Sequence, residues 1–187
     1  MDIYTCGWYP KERGRGYTVL RHQVSEGHQG DVIYPLVEAS EKVDARSAVE
    51  EHERLQKEVF PDLKLGLLHG RLRSEEKEAI MSGFVRGEYD VLVATSVVEV
   101  GIDVPNATVM LIESADRFGL SQLHQFRGRV GRGEYKSYCL LSAENASEEA
   151  TERLKAVEAT NDGFVLAQKD LEMRGPGEFL EIGRAHV

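Results

Sequence analysis

The sequence predicts an α/β fold in which a parallel sheet carries helices on both faces and is followed by a helical hairpin. Two observations indicate the sheet. From residue 30 onward, short apolar runs alternate with segments of helical spacing, and strands that are apolar throughout are typical of a parallel sheet covered on both faces. A third observation indicates the hairpin. After Ser142 the pattern changes to two helical segments, from Ser147 to about Ala159 and from Gly163 to Met173.

The apolar runs are the candidate strands of this sheet. They cover residues 31–36, 64–70, 89–95, 107–114 and 136–142. Parallel sheets bind their ligands in the loops at the carboxyl ends of the strands. We therefore expect ligands near Pro35, His69, Thr95 and Glu113, which fall at those ends.

Helical segments separate the strands. The first, over residues 45–59, places apolar side chains on one face and acidic side chains on the other. The second has Ser74 as its predicted N-cap, acidic residues in its first turn and Gly87 at its end. The third is short and covers residues 120–127.

The composition indicates a globular domain with a core: 187 residues, 41% hydrophobic and 29% charged, with a formal net charge of -9. No apolar run reaches the roughly 18 residues of a membrane helix, and the first residues lack a signal-peptide core. Cys6 and Cys139 do not have a metal-type spacing, so a reduced, cytoplasmic setting is expected. The acidic balance argues against wholesale coating of nucleic acid, but it leaves a local basic groove open.

A basic segment, QFRGRVGRG at residues 125–133, is the strongest local charge feature. Residues 116–136 include five basic and two acidic side chains. Arg129 and Arg132 are three residues apart, and the glycines beside them let the backbone approach a ligand. A planar, permanently charged guanidinium stabilises charge that develops on a transferring phosphoryl group. The same pattern also suits a basic surface turn, and spacing alone does not decide between the two.

A second segment, VLVATSVVEVGIDVPNA at residues 91–107, leads from an apolar strand into polar residues. Hydroxyls and free amides at a strand end, here at Thr95 and Ser96, are suited to a nucleic-acid phosphate. Asp103, close to a glycine, suits a ribose hydroxyl. Taken alone, the stretch is more typical of a hydroxyl-rich turn in which Asp103 is a local cap. The sequence has no GxxxxGK[ST] loop and no acidic pair suited to magnesium, so the chain alone should not hydrolyse a nucleoside triphosphate.

Together these segments resemble the second motor domain of superfamily 2 helicases, which has a RecA-like fold. Residues 91–107 resemble motif V, and residues 125–132 match the Q-x-x-G-R-x-G-R form of motif VI. Upstream, YPLVEASEK at residues 34–42 resembles motif IV. The resemblance covers roughly residues 30–142.

The C-terminal segment narrows the resemblance to RecG-type ATP-dependent DNA helicases, which act on branched DNA in repair and recombination. The stretch TNDGFVLAQKDLEMRGPGEFL, residues 160–180, is similar to the segment that follows the RecG motor. In that family a helical hairpin and loop couple ATP hydrolysis to translocation. The transcription-repair coupling factor has a related segment, so a coupling translocase is one alternative. A non-catalytic nucleic-acid-binding or regulatory module with the same fold is another.

The resemblance implies a role for each matching residue. The catalytic arginines are Arg129 and Arg132, which would stabilise the transferring γ-phosphoryl group. The other implied roles are nucleotide binding by Gln125, Gly101 and Asp103, DNA-backbone contact by Thr95 and Gly70, and coupling by Arg174.

The resemblance also implies cofactors and partners. The nucleotide is ATP, bound in the cleft between two motor domains, and Mg²⁺ is held mainly by the first motor domain. No residue of this sequence is expected to ligate a metal. The expected partners are branched DNA and the first motor domain and wedge domain of the same longer chain, with no membrane.

The expected organisation has four parts. Residues 1–29 are a truncated lead-in with part of a helix, residues 30–142 the RecA-like domain, and residues 143–180 the hairpin and translocation motif. The last seven residues, EIGRAHV at 181–187, depart from the family pattern and back-translate to a common sequencing-adapter sequence. We therefore expect them to be non-native, and Arg184 is given no role.

Overall fold

A computed structural model describes residues 3–8, 13–35, 41–95, 104–131, 133–143 and 146–184. Its centre is a six-stranded sheet in the order β1-β6-β5-β2-β4-β3, and every neighbouring pair is parallel. The strands are β1 (Ile3–Trp8), β2 (Gln29–Tyr34), β3 (Leu65–Leu68), β4 (Val91–Thr95), β5 (Ala107–Ile112) and β6 (Ser137–Ser142). The predicted α/β class with a parallel sheet is confirmed.

The five strands expected from the sequence all form, with bounds that differ by a few residues. Strands β4 and β5 are buried at every position, as expected for strands covered on both faces. The sixth strand, β1, was not predicted. It pairs with β6 from Ile3↔Ser137 to Trp8↔Ser142, so residues 3–8 form an edge of the sheet. The segment is short and mixed in polarity, which leaves it without the apolar run that reveals the central strands.

Helices cover both faces of the sheet, also as predicted. The helices are α1 (Arg13–Ser25), α2 (Glu41–Arg54), α3 (Ser74–Val85), α4 (Leu120–Arg127), α5 (Glu148–Ala159) and α6 (Gly163–Arg184). On one face, Leu20 of α1 packs with Val32, Leu55 and Phe60. The core on the other face is formed by α3, α4 and the α5–α6 hairpin, and it buries Phe84, Leu123, Val157 and Leu166 among others. Transfer of these side chains from water is the main force that holds the layers together.

Helix α3 begins at Ser74, the predicted cap, and therefore one residue earlier than expected. Its N-cap is Arg73, whose carbonyl accepts the first helical hydrogen bond, from the Lys77 N–H at 3.0 Å, and Ser74 is already helical. The expectation of a Ser74 cap was therefore wrong, because the chain enters the helix without any side-chain cap. The predicted stop is confirmed: Gly87 has φ 81°, and its N–H donates to Phe84 O while Glu88 N–H donates to Gly83 O. This pair of bonds is a Schellman motif, which favours glycine at the left-handed position.

Two other helices differ from their expected lengths. The segment predicted as one helix over residues 45–59 consists of α2 followed by a π-helical turn, Leu55–Val59, that closes with Phe60 N–H donating to Leu55 O at 2.7 Å. Helix α6 was expected to end at Met173, but its backbone stays helical to Arg184. This continuation passes through Gly-Pro-Gly at residues 175–177. The φ angle that proline enforces is compatible with a helix, although proline removes one hydrogen bond.

The described part of the chain has no helix that is both long enough and apolar enough to cross a membrane.

Candidate functional site

The arginine segment, residues 125–133, begins on α4 and continues into the turn that leads towards β6. Helix α4 is fixed to the core by Leu123 and by Phe126, whose ring meets Phe118 edge-on at 5.2 Å. After the helix ends, Arg129 N–H donates to Phe126 O at 3.0 Å, and Gly131 adopts φ 75°, a left-handed conformation that favours glycine. The sequence therefore uses Gly131 to turn the backbone immediately before Arg132.

The far end of the arginine segment lies against the residues that precede β5. A Cβ atom at Gly133 would stand 2.8 Å from Pro105 O, so the close approach of the two backbones requires a glycine. Val104 is buried beside the same turn and lines a cavity together with Arg129. The arginine segment and the end of the motif V segment are thus neighbours. Arg132, Gly101 and Asp103, which the sequence predicts at this site, lie outside the described residues.

A cavity of about 20 Å³ lies beneath Arg129, between the sheet and α3. This volume is enough for about one water molecule. On its other side, the Arg129 guanidinium carbon is 5.9 Å from the centre of the Phe126 ring, within cation–π distance. The cavity is lined by Asp31, Ile33, Met81, Phe84, Leu92, Ala94, Val104, Ala107, Met110 and Arg129.

Asp31 is the acidic member of this lining, and the sequence did not single it out. It lies in the middle of β2, paired with Leu92 of β4 and Met110 of β5. Burial raises the pKa of the Asp31 carboxyl from its ordinary 3.8 to about 7, and the positive charge of Arg129 opposes part of that rise. In the sequence, Asp31 is only a charged residue beside an apolar run. A surface aspartate at the end of a strand would show the same pattern.

Arg127 is a second buried ionisable residue that the sequence did not single out, although it belongs to the arginine segment. It is 2% exposed, and burial lowers the pKa of its guanidinium. Its Nη1 atom donates to Val157 O and lies 3.5 Å from Thr5 Oγ1, and Nη2 is 3.3 Å from His124 Nδ1. Val157 is in the last turn of α5, where carbonyls have no partner within the helix. Arg127 therefore joins α4 to the end of α5.

The first turn of α6 also rests on α4. A Cβ atom at Gly163 would stand 2.6 Å from His124 Nε2, so any larger residue here would displace the His124 ring. Leu166, one turn later, is 2% exposed and belongs to the core shared with α4. The two ends of the hairpin turn thus contact the helix that carries the arginines. Arg174 lies on the backbone of α6, and its side chain is outside the described part.

The predicted DNA-contacting residues follow two adjacent strands. Strands β3 and β4 pair with Leu68 opposite Ala94, so Gly70 and Thr95 lie at the same, carboxyl edge of the sheet. Thr95 is 2% exposed, and its hydroxyl has no hydrogen-bond partner among the described residues. A buried hydroxyl without a partner is uncommon in folded proteins.

The structure therefore separates the predicted residues into two groups. Gly70 and Thr95 lie at the carboxyl edge, whereas the turn after α4 lies beside Pro105, which precedes the amino end of β5. Gln125 is exposed on α4, the helix that leads into this turn. The described residues contain no group of three His, Cys, Asp or Glu side chains placed to hold a metal ion.

Comparison with known proteins supports a helicase assignment. The model of the helicase conserved C-terminal domain matches residues 17–134. The chain is 53% identical over 180 residues to the ATP-dependent DNA helicase RecG of Synechocystis sp.. The aligned region covers 96% of this chain and 22% of the relative. The chain is 54% identical over 166 residues to the RecG of Thermotoga maritima, covering 89% of this chain and 21% of the relative.

A solved structure agrees with these relatives. The chain superimposes on a structure of RecG bound to a three-way DNA junction with a TM-score of 0.80 and 48% identity, over 95% of this chain and 23% of that chain. The predicted resemblance to RecG and the RecA-like arrangement are confirmed. The chain spans less than a quarter of the length of these relatives. It belongs to the family of helicase conserved C-terminal domains.

Proposed function

We propose that the chain is the second motor domain of an ATP-dependent DNA helicase that acts on branched DNA in repair and recombination. The observation that carries the proposal is the similarity, over 95% of the chain, to a RecG solved with a three-way junction. The aligned region covers 23% of that RecG chain. The catalytic cycle therefore belongs to a longer protein that also has a first motor domain and a wedge domain.

On the nucleotide side, Arg129 and Arg132 stabilise charge on the γ-phosphoryl group of ATP, and Gln125 helps to place the nucleotide. Gly101 and Asp103 contact the nucleotide from the neighbouring segment. The contact between the arginine segment and residues 104–105 supports this grouping, because it brings both segments to one place. The positive charge of Arg129 is complementary to the negative charge of the ATP phosphates. Magnesium is assigned mainly to the first motor domain, as the resemblance to superfamily 2 helicases implies.

On the DNA side, Thr95 and Gly70 contact the strand backbone. Their shared position at the carboxyl edge of the sheet supports this role. The nucleotide and DNA groups lie towards opposite ends of the strands, so closure of the interdomain cleft would act on both through one rigid sheet.

The α5–α6 hairpin is assigned to coupling, with Arg174 as its coupling arginine. Residues 1–29 are assigned to a truncated lead-in, residues 30–142 to the motor domain, residues 143–180 to the hairpin and translocation motif, and residues 181–187 to a non-native tail. Arg127 and Gly163 supply the physical link, because both ends of the hairpin turn are fixed to α4.

The test is ATP-driven unwinding by the full-length protein that contains this sequence. Synthetic three-way junctions and linear duplexes of equal length are compared at several salt concentrations, because phosphate contacts make binding salt-dependent. We expect ATP-dependent strand separation on the junction and little on the linear duplex. Equal activity on both substrates, or ATP hydrolysis that DNA does not stimulate, would contradict the proposal.

A further inference from the structure

Asp31 is a half-buried carboxylate that the proposed roles leave unexplained. It points into the cavity beneath Arg129, where α3, β4 and β5 contribute only apolar side chains. A charge in such surroundings is costly unless an opposite charge compensates it. Among the described lining residues, Arg129 is the one other ionisable group that faces it.

Arg129 has two neighbours that determine where its guanidinium lies. The ring of Phe126 attracts it on one side at 5.9 Å, and Asp31 attracts it from the cavity. The backbone of Arg129 is fixed by its hydrogen bond to Phe126 O, and Val130 next to it is 1% exposed. The backbone at Arg129 is therefore fixed, and only the side chain can change its conformation. The charge on Asp31 can determine the position of the Arg129 guanidinium.

We propose that ionised Asp31 is a positioning residue for Arg129, holding the guanidinium at the mouth of this cavity in the orientation that the phosphoryl-transfer step requires. This inference rests on the proposed function, in which Arg129 acts on ATP. Asp31 touches no substrate and acts only through the arginine. Protonation of Asp31 removes the attraction, so the hydrolysis rate follows the ionisation of this one carboxyl group.

Burial places the pKa of Asp31 at about 7, which makes the dependence measurable under ordinary assay conditions. As the pH rises through that value Asp31 becomes charged, so kcat for ATP should rise in a one-proton step. The KM for ATP should change little, because most nucleotide contacts lie elsewhere.

The experiment compares Asp31→Asn with Asp62→Asn in the full-length protein, using DNA-stimulated ATP hydrolysis from pH 5.5 to 9. Asp62 is an exposed aspartate that pairs with Arg21, so its variant removes one carboxylate away from the site. At pH 8 we expect Asp31→Asn to lower kcat roughly tenfold or more, the scale of a misplaced catalytic group. The step near pH 7 should disappear in Asp31→Asn and persist in Asp62→Asn.

A second comparison separates positioning from a structural effect. In an Arg129→Gln background, Asp31→Asn should cause no further loss of kcat, because its target is gone. If Asp31→Asn is poorly folded, Asp31→Val replaces it, since a β-branched apolar side chain suits a buried strand, and it must show the same loss and the same non-additivity.

Three results are decisive. If Arg129→Gln leaves kcat unchanged in a folded protein, the proposed role of Arg129 is wrong. If Arg129→Gln impairs hydrolysis but Asp31→Asn matches the Asp62→Asn control in rate and pH profile, only the inference about Asp31 is overturned. An equal loss from Asp31→Asn in both backgrounds also overturns it, because the residue would then act on stability alone.

Discussion

At the residue scale, the arginines of the arginine segment have unequal surroundings although they lie within six positions. Arg127 is buried and bonded to a helix end, and Arg129 lies between an aromatic ring and a cavity. Position in a motif therefore does not define a role by itself. The neighbours of Arg129 restrict where its guanidinium can lie, whereas Arg132 follows the left-handed turn at Gly131.

The first prediction concerns Arg132. In the full-length protein, Arg132→Ala should lower kcat for ATP by roughly 10³-fold or more, the scale of an arginine that stabilises the phosphoryl transition state. Arg132→Lys should not restore activity, because an ammonium group lacks the planar fork. Steady-state ATP hydrolysis with saturating junction DNA measures both. Arg86→Ala, which removes an exposed arginine paired with Glu88, is the control. A near-normal kcat in folded Arg132→Ala would return the segment to a basic surface turn.

The second prediction concerns stability and Asp31. Its folded pKa of about 7 exceeds its ordinary 3.8, so between these values the folded state binds a proton that the unfolded state does not. Stability should therefore fall as pH rises from about 4 to about 7, by an amount on the order of 2–4 kcal/mol. Urea unfolding of wild type and Asp31→Asn at pH 4.5 and 8 measures this. The variant should gain stability over wild type only at the higher pH, and an equal difference at both pH values would contradict the shift.

At the element scale, α4 is the helix that joins the arginine segment to the α5–α6 hairpin. Its C-terminal end leads into the arginine segment, and its His124 and Arg127 contact the start of α6 and the end of α5. Helix α5 is in turn fixed at its start, where Ser147 Oγ accepts from the Ala150 N–H at 3.1 Å. A displacement of α4 would therefore be transmitted to both helices of the hairpin, since interfaces packed this closely shift as units.

The third prediction tests that junction of elements. Arg127→Leu keeps much of the side-chain volume but leaves the Val157 carbonyl buried without its donor, a loss worth about 1–3 kcal/mol of unfolding free energy. Chemical unfolding of the 187-residue chain measures it. Arg73→Ala is the matched control, because the Arg73 side chain is 85% exposed, and it should change stability by less than about 0.5 kcal/mol. Equal stability of the two variants would show that Arg127 does not hold α5.

At the scale of the whole molecule, the sequence predicts the central sheet well and the edges of the fold poorly. Strands β4 and β5 are apolar at almost every position because both faces are covered, so their pattern is unmistakable. Edge strand β1 has no such pattern, and only its pairing with β6 reveals it. Among the site residues, the arginines follow from a local motif. Asp31 lies about a hundred positions away from Arg129, and only the fold brings the two together.

The last prediction concerns coupling across the whole molecule. If the hairpin transmits motion from α4 to DNA, its coupling arginine should be dispensable for chemistry and essential for movement. Arg174→Ala in the full-length protein should therefore retain most DNA-stimulated ATP hydrolysis while losing unwinding of a forked substrate. Arg132→Ala should instead lose both activities, because unwinding depends on the hydrolysis that this variant lacks. Measuring both activities on the same preparations separates the two roles. Parallel losses of hydrolysis and unwinding in Arg174→Ala would place Arg174 in the nucleotide site or the fold. Unwinding at the wild-type rate would leave the hairpin without a part in translocation, although both ends of its turn rest on α4.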